Sequence, residues 1–147
     1  MKVIISEEDY RAVVQYALSQ RPDEACGLIA GNDRKDGFRV IRKVYLMTNT
    51  DHTSEHFSID PREQLQAVKD MRRNGLKPLG NWHSHPETPS RPSEEDIRLA
   101  NDHSASYLIL SLADEHRPVL NAFHIETADG RKTVRKEELL IGGTENG

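Results

Sequence analysis

Apolar residues recur along the chain at two different spacings, which predicts a domain built from both helices and strands. Residues 3–5 are a short apolar run typical of a strand. Residues 7–20 repeat their apolar positions at helical spacing, with Ser6 as the N-cap and Pro22 as a stop beyond the end. The chain therefore begins with a strand that leads directly into an amphipathic helix.

Two further helices are predicted from their start signals. Asp60-Pro61 combines an N-cap side chain with proline at the first helical position, and Gly75 is a favourable stop. The buried stripe of this helix is predicted to consist of Leu65, Val68 and Met71. Ser93 opens a third helix after a proline-rich loop.

The remaining apolar segments predict strands separated by turns and helices. They lie at 26–30, within 38–48, at 57–59, at 76–85, at 107–112 and at 119–125, with one more near the C-terminus. This order predicts a single α/β domain at 1–140, a mostly antiparallel sheet flanked by helices, followed by a polar tail at 141–147.

Composition narrows the function classes. The chain has 147 residues, a net charge of −4, 30% charged and 35% hydrophobic residues, typical of one water-soluble domain. The sequence has no basic stripe of the kind that binds nucleic acid. It also has no apolar run long enough for a signal peptide or a membrane span. A cytoplasmic location is the default expectation. The single cysteine, Cys26, excludes an intrachain disulfide and a cysteine-rich zinc site.

The candidate catalytic residues are concentrated at the end of the strand predicted at 76–85. His83 and His85 are two residues apart on a predicted strand, so both rings face the same side. Neutral imidazoles that face one point are good zinc ligands. Asp96 falls in the first turn of the next helix, and the proline-rich loop can fold it back toward them. Two nitrogens and one oxygen leave a fourth position for water, as catalysis by zinc requires.

Each part of this pattern has a simpler explanation when taken alone. An isolated His-x-His is more often a surface or core pair than a metal site. Ser93-x-x-Asp96 is more often an ordinary capping box. The order and spacing of the two parts together make the pattern specific.

The combined pattern resembles the JAMM motif, also called MPN+. It reads His83-Ser84-His85, seven residues, Ser93, two residues, Asp96. Upstream, the run from Glu24 to Gly31 resembles the family's first motif, in which a glutamate leads into an apolar strand bounded by glycine. Phe57-x-x-Asp60-Pro61 is similar to compact bacterial members. The resemblance covers about residues 1–126.

Membership of this family would imply a fold and a role for each residue. The fold would be cytidine-deaminase-like, with a curved mixed sheet between helices. His83, His85 and Asp96 resemble the ligands of one catalytic Zn²⁺. Glu24 resembles the general base that deprotonates a zinc-bound water, and Ser93 resembles the residue that hydrogen-bonds the oxyanion. The ligand types suit zinc among the divalent ions.

The same resemblance implies an activity and a partner. The enzyme would be a zinc metallopeptidase that hydrolyses an amide bond at the C-terminal glycine of a ubiquitin-like or sulfur-carrier protein. The alternative is a non-catalytic MPN scaffold, although such relatives typically lack one or more metal residues. The carrier's identity and the oligomeric state stay open.

Three other features suggest chemistry and are assigned simpler roles. His52-Thr53-Ser54-Glu55-His56 spells an inverted zinc-protease motif, but its residues favour a loop rather than the helix that motif requires. Cys26 is predicted as a small buried strand residue rather than a nucleophile. Trp82 is predicted to pack in the core, with the wall of a substrate groove as the alternative. A zinc deaminase is excluded because its Pro-Cys-x-x-Cys half is missing.

Overall fold

The structure is a computed structural model that describes residues 1–142. Residues 1–142 fold into seven strands and three helices. In chain order they are β1 (Lys2–Ile5), α1 (Glu7–Gln20), β2 (Cys26–Asp33), β3 (Phe38–Met47), α2 (Pro61–Arg73), β4 (Lys77–His85), α3 (Glu94–Leu99), β5 (Ser106–Ser111), β6 (Val119–Ala128) and β7 (Arg131–Ile141). Residues 143–147 of the predicted tail lie outside the described part of the chain.

The strands form one mixed sheet that closes into a barrel in the order β1-β3-β2-β4-β5-β6-β7. Neighbours pair antiparallel in β2–β3, β2–β4, β5–β6 and β6–β7, and parallel in β1–β3, β4–β5 and β7–β1. The prediction of a mixed, mostly antiparallel sheet with flanking helices is confirmed. The sequence did not predict that the sheet closes into a barrel. The parallel pairing of β1 with β7 makes that closure.

Helix ends follow the predicted signals. Ser6 accepts a hydrogen bond from the Asp9 backbone N–H at the start of α1. Asp60 accepts from the backbone N–H groups of Arg62 and Glu63 at the start of α2. No helix among residues 1–142 has both the length and the apolar character needed to cross a membrane.

The predicted buried stripe of α2 was partly wrong. Leu65 is 55% exposed, whereas Ala67 and Met71 are the helix's buried residues. They pack against Ala30 and Met47. The helix therefore lies on the barrel through Ala67 and Met71, and Leu65 lies outside that contact.

The main hydrophobic core lies between the sheet of the barrel and helix α1. Trp82 is fully buried, and its indole Nε1–H donates to the Tyr45 carbonyl oxygen at 3.0 Å. The prediction of core packing for Trp82 is thereby confirmed. Cys26 is also fully buried, and burial raises the pKa of its thiol to about 12. This confirms Cys26 as a strand residue rather than a nucleophile.

The strand predicted at 57–59 was wrong. Residues 48–60 form a loop in which a single bridge joins Asn49 to Ile59. The alternation of apolar and polar residues there has a different cause, because Phe57 turns inward toward the end of β4. The 48–60 loop thus lies beside the cluster of candidate residues.

Candidate metal centre

The end of β4 brings two histidines together. His83 and His85 point to one face of the strand, and their Nε2 atoms lie 3.1 Å apart. Both residues are buried, at 3% and 4% exposure. The His85 ring is oriented by a contact of its other nitrogen, Nδ1, which lies 2.9 Å from the Pro89 carbonyl oxygen. This contact favours a proton on Nδ1 and leaves Nε2 free to coordinate a metal.

Asp96 completes a group of three ligand atoms. Its Oδ2 lies 3.2 Å from His83 Nε2 and 3.1 Å from His85 Nε2. Asp96 is the third residue of α3, where the Ser93 side chain accepts from the Asp96 N–H and the Ser93 N–H donates to Asp96 Oδ2. The capping box exists, and it also aims the carboxylate at the two rings.

The pair Ala25 and Ser84 places Glu24 beside this group. The Ala25 N–H donates to Ser84 Oγ at 2.8 Å, and the Ser84 N–H donates to the Ala25 carbonyl oxygen at 2.9 Å. Ser84 separates the two histidines, so these bonds fix the start of β2 against the end of β4. Glu24, only 4% exposed, then interacts electrostatically with His85 and Asp96.

Asn49 holds Glu24 from the other side. This buried amide donates to the Glu24 carbonyl oxygen at 3.0 Å and to the His56 carbonyl oxygen at 3.1 Å. Its own oxygen accepts from the N–H groups of Asp51 and Ser58 at 3.0 and 3.1 Å. The Asn49 side chain thus uses all of its hydrogen-bonding groups to join Glu24 to the rest of the 48–60 loop.

Phe57 connects the same loop to the histidines. Its ring stacks on the His83 ring, with 4.7 Å between centroids and 25° between planes. The sequence placed Phe57 on a strand and gave Asn49 no role. Neither contact had a local signal, because both depend on how a loop folds onto residues that are distant in sequence.

Burial controls the charges at the centre. It raises the pKa of Glu24 to about 8, close to neutral pH, although the nearby His85 opposes the shift. Burial lowers the pKa of His83, which favours the neutral ring that coordinates metals. Burial alone would raise the pKa of Asp96, but hydrogen bonds from His83 and His85 outweigh it and lower that pKa.

The donor set fits a zinc ion. Tetrahedral ligands about 2.1 Å from a metal lie roughly 3.4 Å from one another, which is close to the 3.1–3.2 Å separations between the three donor atoms. Within residues 1–142, Glu24 Oε1 is buried without a hydrogen-bond partner. A water on the open side of a bound metal would satisfy that oxygen.

A cleft lies beside His83 and Asp96. Apolar side chains form most of its wall, namely those of Phe57, Pro92, Leu99, Tyr107, Ile109 and Ile125. Asn81 shares this face of β4 with His83, as its separation of two residues would have predicted, and it also lines the cleft. The Asn81 Oδ1 has no hydrogen-bond partner within the described chain. The cleft therefore combines a mostly apolar wall with a buried amide oxygen that has no partner among the described residues.

The misleading histidine pair lies in the 48–60 loop. His52 and His56 do not share a helix face, because this segment is not helical. His56 Nδ1 lies 2.9 Å from Asp51 Oδ2. The prediction that this segment is a loop rather than a helix is confirmed.

Comparison with known proteins agrees with this geometry. The family model described as prokaryotic homologs of the JAB domain matches residues 6–126. The chain is 34% identical over 131 residues to the CysO-cysteine peptidase of Mycobacterium tuberculosis, covering 89% of this chain and 86% of that protein. It is 26% identical over 115 residues to the desampylase of Pyrococcus furiosus, covering 78% of each.

A solved structure extends the agreement to the fold. The solution structure of protein DSY2949 from Desulfitobacterium hafniense superimposes with a TM-score of 0.83 and 48% identity, covering 96% of this chain and 92% of that one. Since the family model matches most of the chain and the relatives are named as peptidases, the chain belongs to the prokaryotic JAB family of JAMM/MPN+ hydrolases.

Proposed function

We propose that the protein is a zinc-dependent peptidase that hydrolyses an amide bond at the C-terminal glycine of a ubiquitin-like or sulfur-carrier protein. One observation carries the proposal. The ligand atoms of His83, His85 and Asp96 lie within 4.8 Å of one another and face a side on which Glu24 is buried. A structural zinc site usually has four protein ligands, and it has no use for an unpaired carboxylate next to it.

Zinc held by His83, His85 and Asp96 would supply Lewis acidity, which lowers the pKa of a coordinated water to about 7. Glu24 would take the proton of that water and deliver it to the leaving amine. A proton carrier of this kind works best when its pKa is near the working pH. Burial raises the pKa of Glu24 to about 8 in the metal-free protein, and a bound divalent cation would bring it down toward the working pH.

Ser93 and Asp96 have complementary roles in the proposal. Ser93 Oγ accepts the Asp96 N–H at 3.0 Å, which fixes the hydroxyl oxygen and leaves its proton free to be donated. That proton is directed to the oxygen that becomes negative as the amide carbon is attacked. Asp96 binds the metal with the oxygen that also receives the Ser93 N–H.

The substrate class follows from the relatives and from the cleft. One relative is named for the CysO-cysteine bond and another is a desampylase. A flexible tail ending in glycine has the small cross-section that a narrow, mostly apolar cleft next to the ligands can accept. Release of a single amino acid or of a larger conjugated protein would use the same residues.

The test is cleavage of a carrier protein joined through its C-terminal glycine to an amino acid. Zinc-loaded protein should release a carrier ending in glycine, identified by its mass, and Glu24→Ala should lower the rate by about 10²- to 10⁴-fold. Glu87→Ala removes an exposed carboxylate from the loop after β4 and serves as the matched control. A chelator should abolish cleavage, and added zinc should restore it.

Two results would count against the proposal. Equal cleavage by the wild-type protein and Glu24→Ala would refute the mechanism. A purified protein that holds no zinc and takes none up on titration would favour the non-catalytic MPN scaffold.

A further inference from the structure

Helix α3 carries Asp96 and is preceded by Ser93, yet it has little packing of its own. It contains six residues, Glu94–Leu99, and none of them is buried. Its largest apolar side chain, Leu99, is 55% exposed. A helix this short is unstable alone, and helices in proteins are normally held by a buried face. Something other than core packing must therefore fix its position.

The N-terminal end of α3 contacts the barrel through Asp96, whose Oδ2 lies 3.2 Å and 3.1 Å from the Nε2 atoms of His83 and His85. The capping box between Ser93 and Asp96 satisfies the first turn, but both partners belong to the same short segment. It shapes the helix without attaching it to the barrel. A second attachment lies at the other end, where the last carbonyl groups of a helix lack internal partners.

Lys132 of β7 provides that attachment. Its ammonium Nζ lies 2.7 Å from the Ile97 carbonyl oxygen, and 2.8 Å from those of Arg98 and Ala100. A fourth contact reaches the side-chain oxygen of Asn101 at 3.1 Å. An ammonium group has three protons, so these acceptors engage all of its donors. A cation at a helix C-terminus also interacts favourably with the helix dipole.

The position of Lys132 is itself fixed by the barrel. It pairs with Thr127 in the β6–β7 hairpin, whose two-residue turn is Asp129-Gly130. Both turn residues have positive φ, 53° and 74°, the type I′ geometry that matches the twist of an antiparallel pair. The register of the hairpin therefore determines where the ammonium group meets α3.

We propose that Lys132 is a positioning residue for the metal centre, which holds α3 so that Asp96 and Ser93 face the histidines. The inference rests on the proposed metal site. Lys132 contacts none of the three donor atoms, and it acts through the backbone of α3 and of the following residue Ala100, which lines the cleft. The β6–β7 hairpin thereby becomes part of the structure that sets metal affinity.

The test compares Lys132→Met with Lys136→Met, which removes an exposed lysine from the same strand. In the metal-free protein, hydrogen exchange of the backbone amides at 94–100 should accelerate at least tenfold in Lys132→Met alone. Zinc affinity, measured by competition with a coloured chelator, should fall about 10- to 100-fold, the usual effect of losing a group that orients a metal ligand. Lys132→Arg keeps the charge and should recover part of both losses.

The outcomes separate this inference from the proposed function. Unchanged exchange at 94–100, or a zinc affinity within twofold of wild type, would overturn the role of Lys132. An equal effect of Lys136→Met would do the same, because it would indicate a general loss of charge. Neither readout uses cleavage, so a wild-type protein that binds zinc but cuts no carrier adduct would refute the peptidase and leave the role of Lys132 intact.

Discussion

Replacing Glu24 by glutamine should stabilise the metal-free protein, and should do so more at pH 8 than at pH 5. Burial raises the pKa of this carboxyl from 4.5 to about 8, with His85 opposing the shift and Asp96 and Glu95 adding to it. Below pH 4.5 the carboxyl is protonated in both the folded and the unfolded chain. As the pH rises toward 8 only the unfolded chain ionises freely, so the folded state loses stability.

The size of the effect follows from the same two values. At about 1.4 kcal/mol for each unit between 4.5 and 8, the full penalty approaches about 5 kcal/mol, and about 3 kcal/mol of it develops between pH 5 and pH 8. Glutamine has nearly the same shape and cannot ionise, so Glu24→Gln escapes the penalty. The variant should therefore gain about 3 kcal/mol relative to wild type over this interval, while losing the proposed proton carrier.

Urea unfolding in the presence of a chelator, at pH 5 and pH 8, measures the difference. The buried histidines titrate in both proteins, so comparing the variant with wild type at each pH isolates Glu24. Glu87→Gln, at an exposed position, should differ from wild type by less than about 0.5 kcal/mol at both pH values. Glu24→Gln and wild type could instead differ in stability by the same amount at pH 5 and pH 8. That result would show that Glu24 is not a buried acid with a raised pKa.

Three further predictions concern residues around the centre. Asn49→Ala should lower the free energy of unfolding by about 3 kcal/mol, because four hydrogen bonds of a buried amide are lost; urea denaturation checks this. Gly27→Ala should cost about 3 kcal/mol or more, measured in the same way, because a Cβ would overlap the Tyr45 carbonyl oxygen and the Trp82 indole nitrogen. Cys26 should react with iodoacetamide roughly a hundredfold more slowly in the native protein than in urea, because its thiol is buried. Fast labelling without unfolding would contradict that burial.

The sequence predicted the elements whose causes are local. Ser6 and Asp60 act as helix caps because a short polar side chain reaches a backbone N–H within its own turn. The shared orientation of His83 and His85 follows from the repeat of a strand alone. Asp96 could be expected nearby because the proline-rich loop can fold the first turn of α3 back toward the histidines.

Features that depend on distant parts of the chain could not be predicted in this way. Leu65 is exposed although it fits the helical repeat, because α2 contacts the barrel through Ala67 and Met71 instead. The contact of Lys132 with α3 joins residues that lie more than thirty positions apart. The pairing of strands in the sheet brings these segments together, and no local pattern of apolar residues encodes that pairing.

The closure of the barrel has a consequence for how the protein acquires its structure. Lys2–Ile5 pair with Glu138–Ile141, so β1 gains its second neighbour only when β7 joins the sheet. Contacts this distant in sequence slow folding, since a long loop of chain must be ordered before they form. Lys132 belongs to β7, the strand that closes the ring. The fixation of α3 by Lys132 therefore depends on β7 having joined the sheet, which places it among the later events of folding.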